Sequence, residues 1–133
     1  MNKKQAALMD TFYVALRRGD VPAVLDLCHD DVEVYKAPGV VDMVAAMTPR
    51  GRDRVAGYLQ GWLDSWDTYE PVLEEVRSSG DQVVALVKVH SRGVGSQFDL
   101  NEDMADVFTV RDNKIARMRM YVSRDEALRT APD

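Results

Sequence analysis

Cysteine is nearly absent. Cys28 is the only one in 133 residues, so no disulfide can close within the chain. A reducing setting follows, and the cytoplasm is the expected location. Basic charge is in the minority: 17 Lys and Arg stand against 22 Asp and Glu, a formal net charge of −5. A nucleic-acid partner would call for a basic stripe instead, so none is expected. Long apolar runs are missing as well. No stretch reaches the roughly 20 residues that cross a bilayer, so no membrane partner is expected. The opening "MNKKQAALMDTFYVALRRGD" is charged and amphipathic, and lacks the apolar core and cleavage site of a signal peptide. There are no repeats, low-complexity tracts or linkers. What is present is a hydrophobic fraction of 46%, ordinary for a globular chain. The length suits one domain with a real core, spanning residues 1–133.

Helical periodicity comes first. Leu8, Met9, Phe12, Tyr13 and Leu16 recur at helical spacing, and Gly19 follows as a stop signal. Asp20 is placed to cap a short second helix with Pro22 in its first turn and Val24, Leu25 and Leu27 to bury. "DDVEVY" alternates as a half-buried strand, with Val32 and Val34 on one side. In "GRDRVAGYLQGWLDSWDTYEP", Val55, Leu59, Trp62 and Trp66 form one helical stripe flanked by Tyr58 and Leu63. The second half reads as strands joined by tight turns: "PVLEEVRS", "QVVALVKVHSRG", "QFDLNEDMADVFTV" with a bulge or bend near Asn101, and "KIARMRMYV". Ser123 and Glu126 resemble a capping box that opens a last short helix. Helices followed by a run of strands define an α+β class, a mostly antiparallel sheet with helices on one face.

The strand alternations agree on an inner face. Ala85, Val87 and Val89 share a side; so do Met104, Asp106, Phe108 and Val110; so do Met118, Met120 and Val122. Asp106 is the anomaly, a carboxylate in line with Met, Phe and Val. Desolvation there should raise its pKa, which would let it donate a hydrogen bond or shuttle a proton. The structural alternative is an Asp tied to a Tyr, Trp or backbone group. The opposite face carries Lys88, His90, Arg92, Arg117 and Arg119, but also Ile115, Val107 and Tyr121, and a half-apolar sheet face of this kind suits a homodimer contact.

The segments "ALRRGD", "DDVEV", "GRDRVAGYL" and "ADVFTVRDNKIARMRMY" resemble the NTF2-like superfamily, and more narrowly its SnoaL-like branch, named for a polyketide cyclase. The resemblance covers nearly the whole chain. It implies a cone-shaped α+β barrel in which a curved sheet wraps N-terminal helices around an apolar pocket. It also implies a small apolar molecule as partner, no cofactor, and chemistry by proton transfer of the isomerase, cyclase or hydratase kind. Ketosteroid isomerases of this superfamily use a tyrosine on the first helix, a base after the first strand and a protonated aspartate on a later strand. By spacing, these fall on Phe12, on or near Lys36, and on Asp106, and Tyr13 would point elsewhere. Only the aspartate is kept, so a standard ketosteroid isomerase is not expected. The Asp–Arg–Asp set of limonene epoxide hydrolases is also missing, since Met104 stands two before Asp106.

The expected site is therefore Asp106 as the acid. Tyr58, Trp62, Val87, Met104, Phe108, Met118 and Val122 line the cavity and "KAPGVVDMVAAM" serves as its lid. Glu102 shares Asp106's parity and belongs at the pocket rim or on a solvated strand end; Lys36 is expected as a solvated loop residue. Cys28, His29 and Asp30 are adjacent and their side chains diverge, and no second ligand pair follows, so no metal is expected. The competing reading is a non-catalytic binding or dimerisation module, its cavity filled by Trp and Met and Asp106 bonded inward.

Overall fold

The structure, a computed structural model, describes residues 3–36, 48–96 and 98–130. The segment 37–47, expected as a lid, and the side chain of Lys36 lie outside the described residues. The elements run α1 (Lys3–Arg17), α2 (Val21–Asp26), β1 (Cys28–Lys36), α3 (Arg52–Asp64), β2 (Trp66–Ser79), β3 (Gln82–Gly93), β4 (Leu100–Arg111), β5 (Lys114–Tyr121) and α4 (Arg124–Thr130).

Local chemistry explains the joints. Helix α1 ends in a Schellman motif: the Gly19 N–H reaches the Leu16 carbonyl and the Asp20 N–H reaches that of Ala15, both at 3.0 Å. Gly19 takes the left-handed conformation this needs, φ 67°. Asp20 then caps α2, its Oδ1 accepting from the Ala23 N–H at 3.1 Å. Between β4 and β5 the two-residue turn Asp112–Asn113 has both φ positive, 54° and 59°, the geometry that matches strand twist.

The strands form one curved, unclosed five-stranded sheet in the order β1-β5-β4-β3-β2. The β1/β5 pair is parallel and the other three pairs are antiparallel. Helices α1, α2 and α3 cover one face. Leu8, Met9, Phe12, Tyr13 and Leu16 of α1 meet Val83, Ala85 and Val87 of β3, Phe108 and Val110 of β4, and Met118 and Met120 of β5 in the main core. The alternation of β3 and β4 therefore aims its residues as the sequence implied.

Five expectations change. Helix α3 stops at Asp64, and Trp66 opens β2, because Trp66, Thr68 and Tyr69 pair with Gly93, Arg92 and Ser91 of β3; strand pairing overrides the helical repeat. No register break occurs near Asn101 between β3 and β4; the break in β4 lies between Thr109 and Val110, where it faces β5. That break sets Val110 opposite Ile115 and turns Ile115 into the main core instead of outward. Val122 lies past the end of β5 and is 40% exposed, because the chain has already left the sheet for α4. Finally, the apolar residues of the outer face, Val84, Leu86, Ala105, Val107 and Tyr121, are covered within the chain by Ala127 and Leu128 of α4.

Candidate functional site

Asp106 sits in the middle of β4, opposite Ala85 of β3 and Met120 of β5, with only 7% of its surface exposed. Its neighbours along the strand on the same face are Met104 and Phe108. Burial among them pushes its carboxyl pKa up to about 6. The opposing influence is a hydrogen bond: the Tyr13 hydroxyl donates to Asp106 Oδ2. Tyr13 reaches it from α1, held by edge-to-face contacts with Phe12 at 4.9 Å and Phe108 at 6.3 Å between ring centroids. Burial, and then the charge of Asp106, hold the Tyr13 hydroxyl well above the ordinary range.

Tyr69, on β2, is the third group. Its hydroxyl is also raised, first by burial and then by the charge of Asp106. Tyr69 belongs to an aromatic cluster. Its ring stacks on Trp66 at 6.0 Å and meets Trp62 edge-on at 5.9 Å; the two indoles are 5.6 Å apart. Hydrogen bonding from the Trp62 side chain opposes that rise, although at full hydrogen-bond geometry the buried Nε1 atoms of Trp62 and Trp66 have no partner among the described residues.

The residues singled out from sequence divide. Asp106, Phe108, Val87 and Met118 lie on the helix-covered face, the last three as core. Met104 is half-buried against that core, and Tyr58 and Trp62 are buried on α3. Val122 stands apart on the surface. Glu102 is exposed near the start of β4. His90 faces outward, as expected, with Nδ1 3.3 Å from Glu70. Three surface clefts of about 310, 370 and 380 Å³ lie between α1 and α2, over β2 and β3, and around residues 50–54, and Asp106 lines none of them. Among the described residues no three His, Cys, Asp or Glu side chains gather as a metal site would need, and no helix is long and apolar enough to cross a membrane.

The sequence reading missed Tyr13 and Tyr69. Tyr13 was expected to point away and Phe12 to hold the key helix position. Instead α1 buries a stripe two residues wide. Phe12 fills the core against Phe108 at 5.2 Å, and Tyr13 beside it makes the bond to Asp106. Tyr69 would have stood out had its segment been read as a strand, since Tyr69, Pro71 and Leu73 alternate toward the core.

An α+β arrangement of this kind, N-terminal helices over one face of a curved, unclosed five-stranded sheet, is the NTF2-like, cystatin-type fold. The profile of the SnoaL-like domain matches residues 9–118, and the chain belongs to that family. No curated protein matches it. Among solved structures it is similar to TerC co-crystallised with polyporic acid, with 19% identity, TM-score 0.80, and coverage of 97% of this chain and 98% of that one. An NTF2-like protein of unknown function from Burkholderia pseudomallei aligns at 17% identity and TM-score 0.81, over 99% and 100% of the two chains. Rv0760c of Mycobacterium tuberculosis, in complex with estradiol-17β-hemisuccinate, aligns at 18% identity and TM-score 0.75, over 93% and 97%.

Proposed function

We propose that this chain binds a small, largely apolar molecule and moves a proton on it without a cofactor, in a reaction of the isomerase, cyclase or hydratase kind. The observation that carries this reading is Asp106, a buried carboxyl whose pKa of about 6 lies close to neutrality. A group poised there can take a proton from a carbon acid and return it, because both its forms are accessible at working pH. Tyr13 steadies the ionised form by donating to it. Similar structures were solved with polyporic acid and with an estradiol ester, which agrees with a small apolar ligand here.

The test is deuterium uptake at the α-carbon of a panel of cyclic ketones, followed by NMR. The wild type is expected to accelerate uptake, and Asp106→Asn to lose about a hundredfold or more of that acceleration. Uptake unchanged by the substitution would remove Asp106 from the chemistry.

A second reading, a non-catalytic ligand-binding or dimerisation module, is favoured by one feature: Tyr13 and Asp106 are closed on each other. Under it the wild type binds ketones and accelerates nothing. Either reading goes with a homodimer through the part of the outer sheet face that α4 leaves open, where Val72 of β2 is 50% exposed. Light scattering of the wild type and Val72→Glu tests it, and a monomeric wild type would refute it. A cytoplasmic setting rests on the lone buried thiol of Cys28 and is checked by fractionation.

A further inference from the structure

Away from Asp106, positive charge gathers at one corner of the outer sheet face, where β1 lies beside β5. The register places Glu33 opposite Arg117 and Tyr35 opposite Arg119. Val34 and Met118, between them on the two strands, point into the main core, so these four side chains stand on the outer face. Both guanidiniums lie over the Tyr35 ring, each 5.3 Å from its centroid. Arg50 joins them from the other edge of β1, where residues 49–51 bond to Val32 and Val34 and Arg50 is bridged to Glu33. The charges of Arg117 and Arg50 both act on the Tyr35 hydroxyl. The nearby carboxylate is already engaged: Glu33 accepts from the Tyr35 hydroxyl and stands 3.9 Å from Arg117. Arg119 meets no carboxylate among the described residues.

Three arginines around one phenol ring are a local exception in a chain of net charge −5. Like charges crowded on one sheet face repel, and an anion laid across them relieves that cost. The ring holds two of the guanidiniums by cation–π contact, so part of the rotamer freedom that binding would remove is already gone. Arg117 still has 52% of its side chain exposed. Tyr and Arg are also the residue types that carry much of the energy at protein interfaces. None of the three clefts is lined by Tyr35, Arg117 or Arg119. The corner is thus open rather than enclosing, which suits a segment of a partner protein better than a small anion. From this geometry we infer that Tyr35, Arg50, Arg117 and Arg119 dock an acidic segment of a partner protein. Arg117 and Arg119 alternate along β5, about 7 Å apart, and alternate carboxylates on an extended chain have the same spacing. A guanidinium fork takes a carboxylate through two parallel hydrogen bonds. A nucleic acid is the poorer fit, because the acid surplus of the chain repels a long polyanion.

The probe is a blocked heptapeptide with glutamate at its second, fourth and sixth positions and threonine or glycine elsewhere. It is titrated at low salt into ¹⁵N-labelled protein. The amides of β1 and β5 and the Nε–H signals of Arg117 and Arg119 are expected to shift and saturate. The same peptide with lysine for glutamate is expected to leave them in place. Raising the salt to about 0.5 M should weaken binding about tenfold, because exposed charges are then screened. Arg117→Gln with Arg119→Gln should lower the affinity about tenfold or more. Arg117→Glu with Arg119→Glu is expected to lose the glutamate peptide and to take the lysine peptide instead, an exchange that mere loss of structure would not produce. If that variant is poorly folded, Arg119→Gln alone gives the comparison, with a loss of about threefold or more. No saturable shift with the glutamate peptide, an equal response to the lysine peptide, or an affinity unmoved in the glutamine variants would each overturn the inference. Inorganic phosphate that binds as tightly as the peptide would overturn it in favour of a small-anion site. A wild-type dimer that Arg119→Gln separates would overturn it in favour of a second copy on this corner.

Discussion

The Tyr13 hydroxyl donates to Asp106 Oδ2 across 93 residues of chain, tying α1 to the centre of β4. The bond lowers the carboxyl pKa against the larger effect of burial. Tyr13→Phe removes the donor and keeps the ring. The Asp106 pKa should then rise above about 6, read from the side-chain carboxyl ¹³C shift during a pH titration. The same variant should lose roughly 1.5–3 kcal/mol of stability at pH 8, where the acceptor is charged, and less at pH 4, where it is not. A carboxyl titration unmoved by the change would mean that the bond does not form in solution.

Asp106 itself should penalise folding at high pH. Its folded pKa of about 6 exceeds the ordinary 3.8, so the folded state holds the proton more tightly than the unfolded one. Between these values the native state binds more protons, and stability falls as pH rises. The cost is absent below pH 4, complete above pH 7, and on the order of 3 kcal/mol. Asp106→Asn does not titrate. Its stability relative to wild type should therefore improve by about that amount from pH 4 to pH 8, as measured by urea unfolding at each pH. A difference that stays flat with pH would show that the carboxyl is not desolvated.

The position of Asp106 was legible because strand alternation has a strict period of two, and Met104, Phe108 and Val110 declared the buried side. Its partner was not legible by counting residues. Phe12 and Tyr13 are about 100° apart on a helix, yet a helix lying over a curved sheet buries a wide stripe, so both face the sheet. Trp66 was lost for a related reason. Its spacing from Trp62 fits a helix, and only the pairing with Gly93 of β3 shows that the chain has already become strand. Val122 kept the right parity, but parity has no meaning once the strand has ended at Tyr121.

Phe108 should be the most sensitive of the core residues near the site. It is fully buried and touches both Phe12 and Tyr13 edge-to-face. Phe108→Ala is expected to cost about 3–5 kcal/mol, the transfer loss plus a cavity. Phe108→Leu should cost less and still loosen Tyr13, so the Asp106 pKa should rise in that variant too. Denaturant unfolding and the carboxyl titration read the two effects separately.

Arg124 should decide whether α4 stays on the outer face. It opens that helix, and its guanidinium donates to the Val87 carbonyl at 2.9 Å and to the Met104 carbonyl at 3.2 Å, with Glu74 at 2.5 Å. One side chain thus ties α4 to β2, β3 and β4. The apolar grip of the helix is small by comparison: Ala127 and Leu128 on the patch around Val107 and Tyr121. Arg124→Met keeps the stem and removes the charged donors. Stability should fall by about 1–3 kcal/mol, and the amides of Ala127 and Leu128 should exchange with solvent about tenfold faster or more, because local opening of α4 then costs less than global unfolding. The outer patch would be uncovered in the open state, so the variant should also bind an environment-sensitive apolar dye that the wild type excludes. Amide exchange in α4 that remains as slow as in β4 would show that its apolar contacts suffice without the arginine.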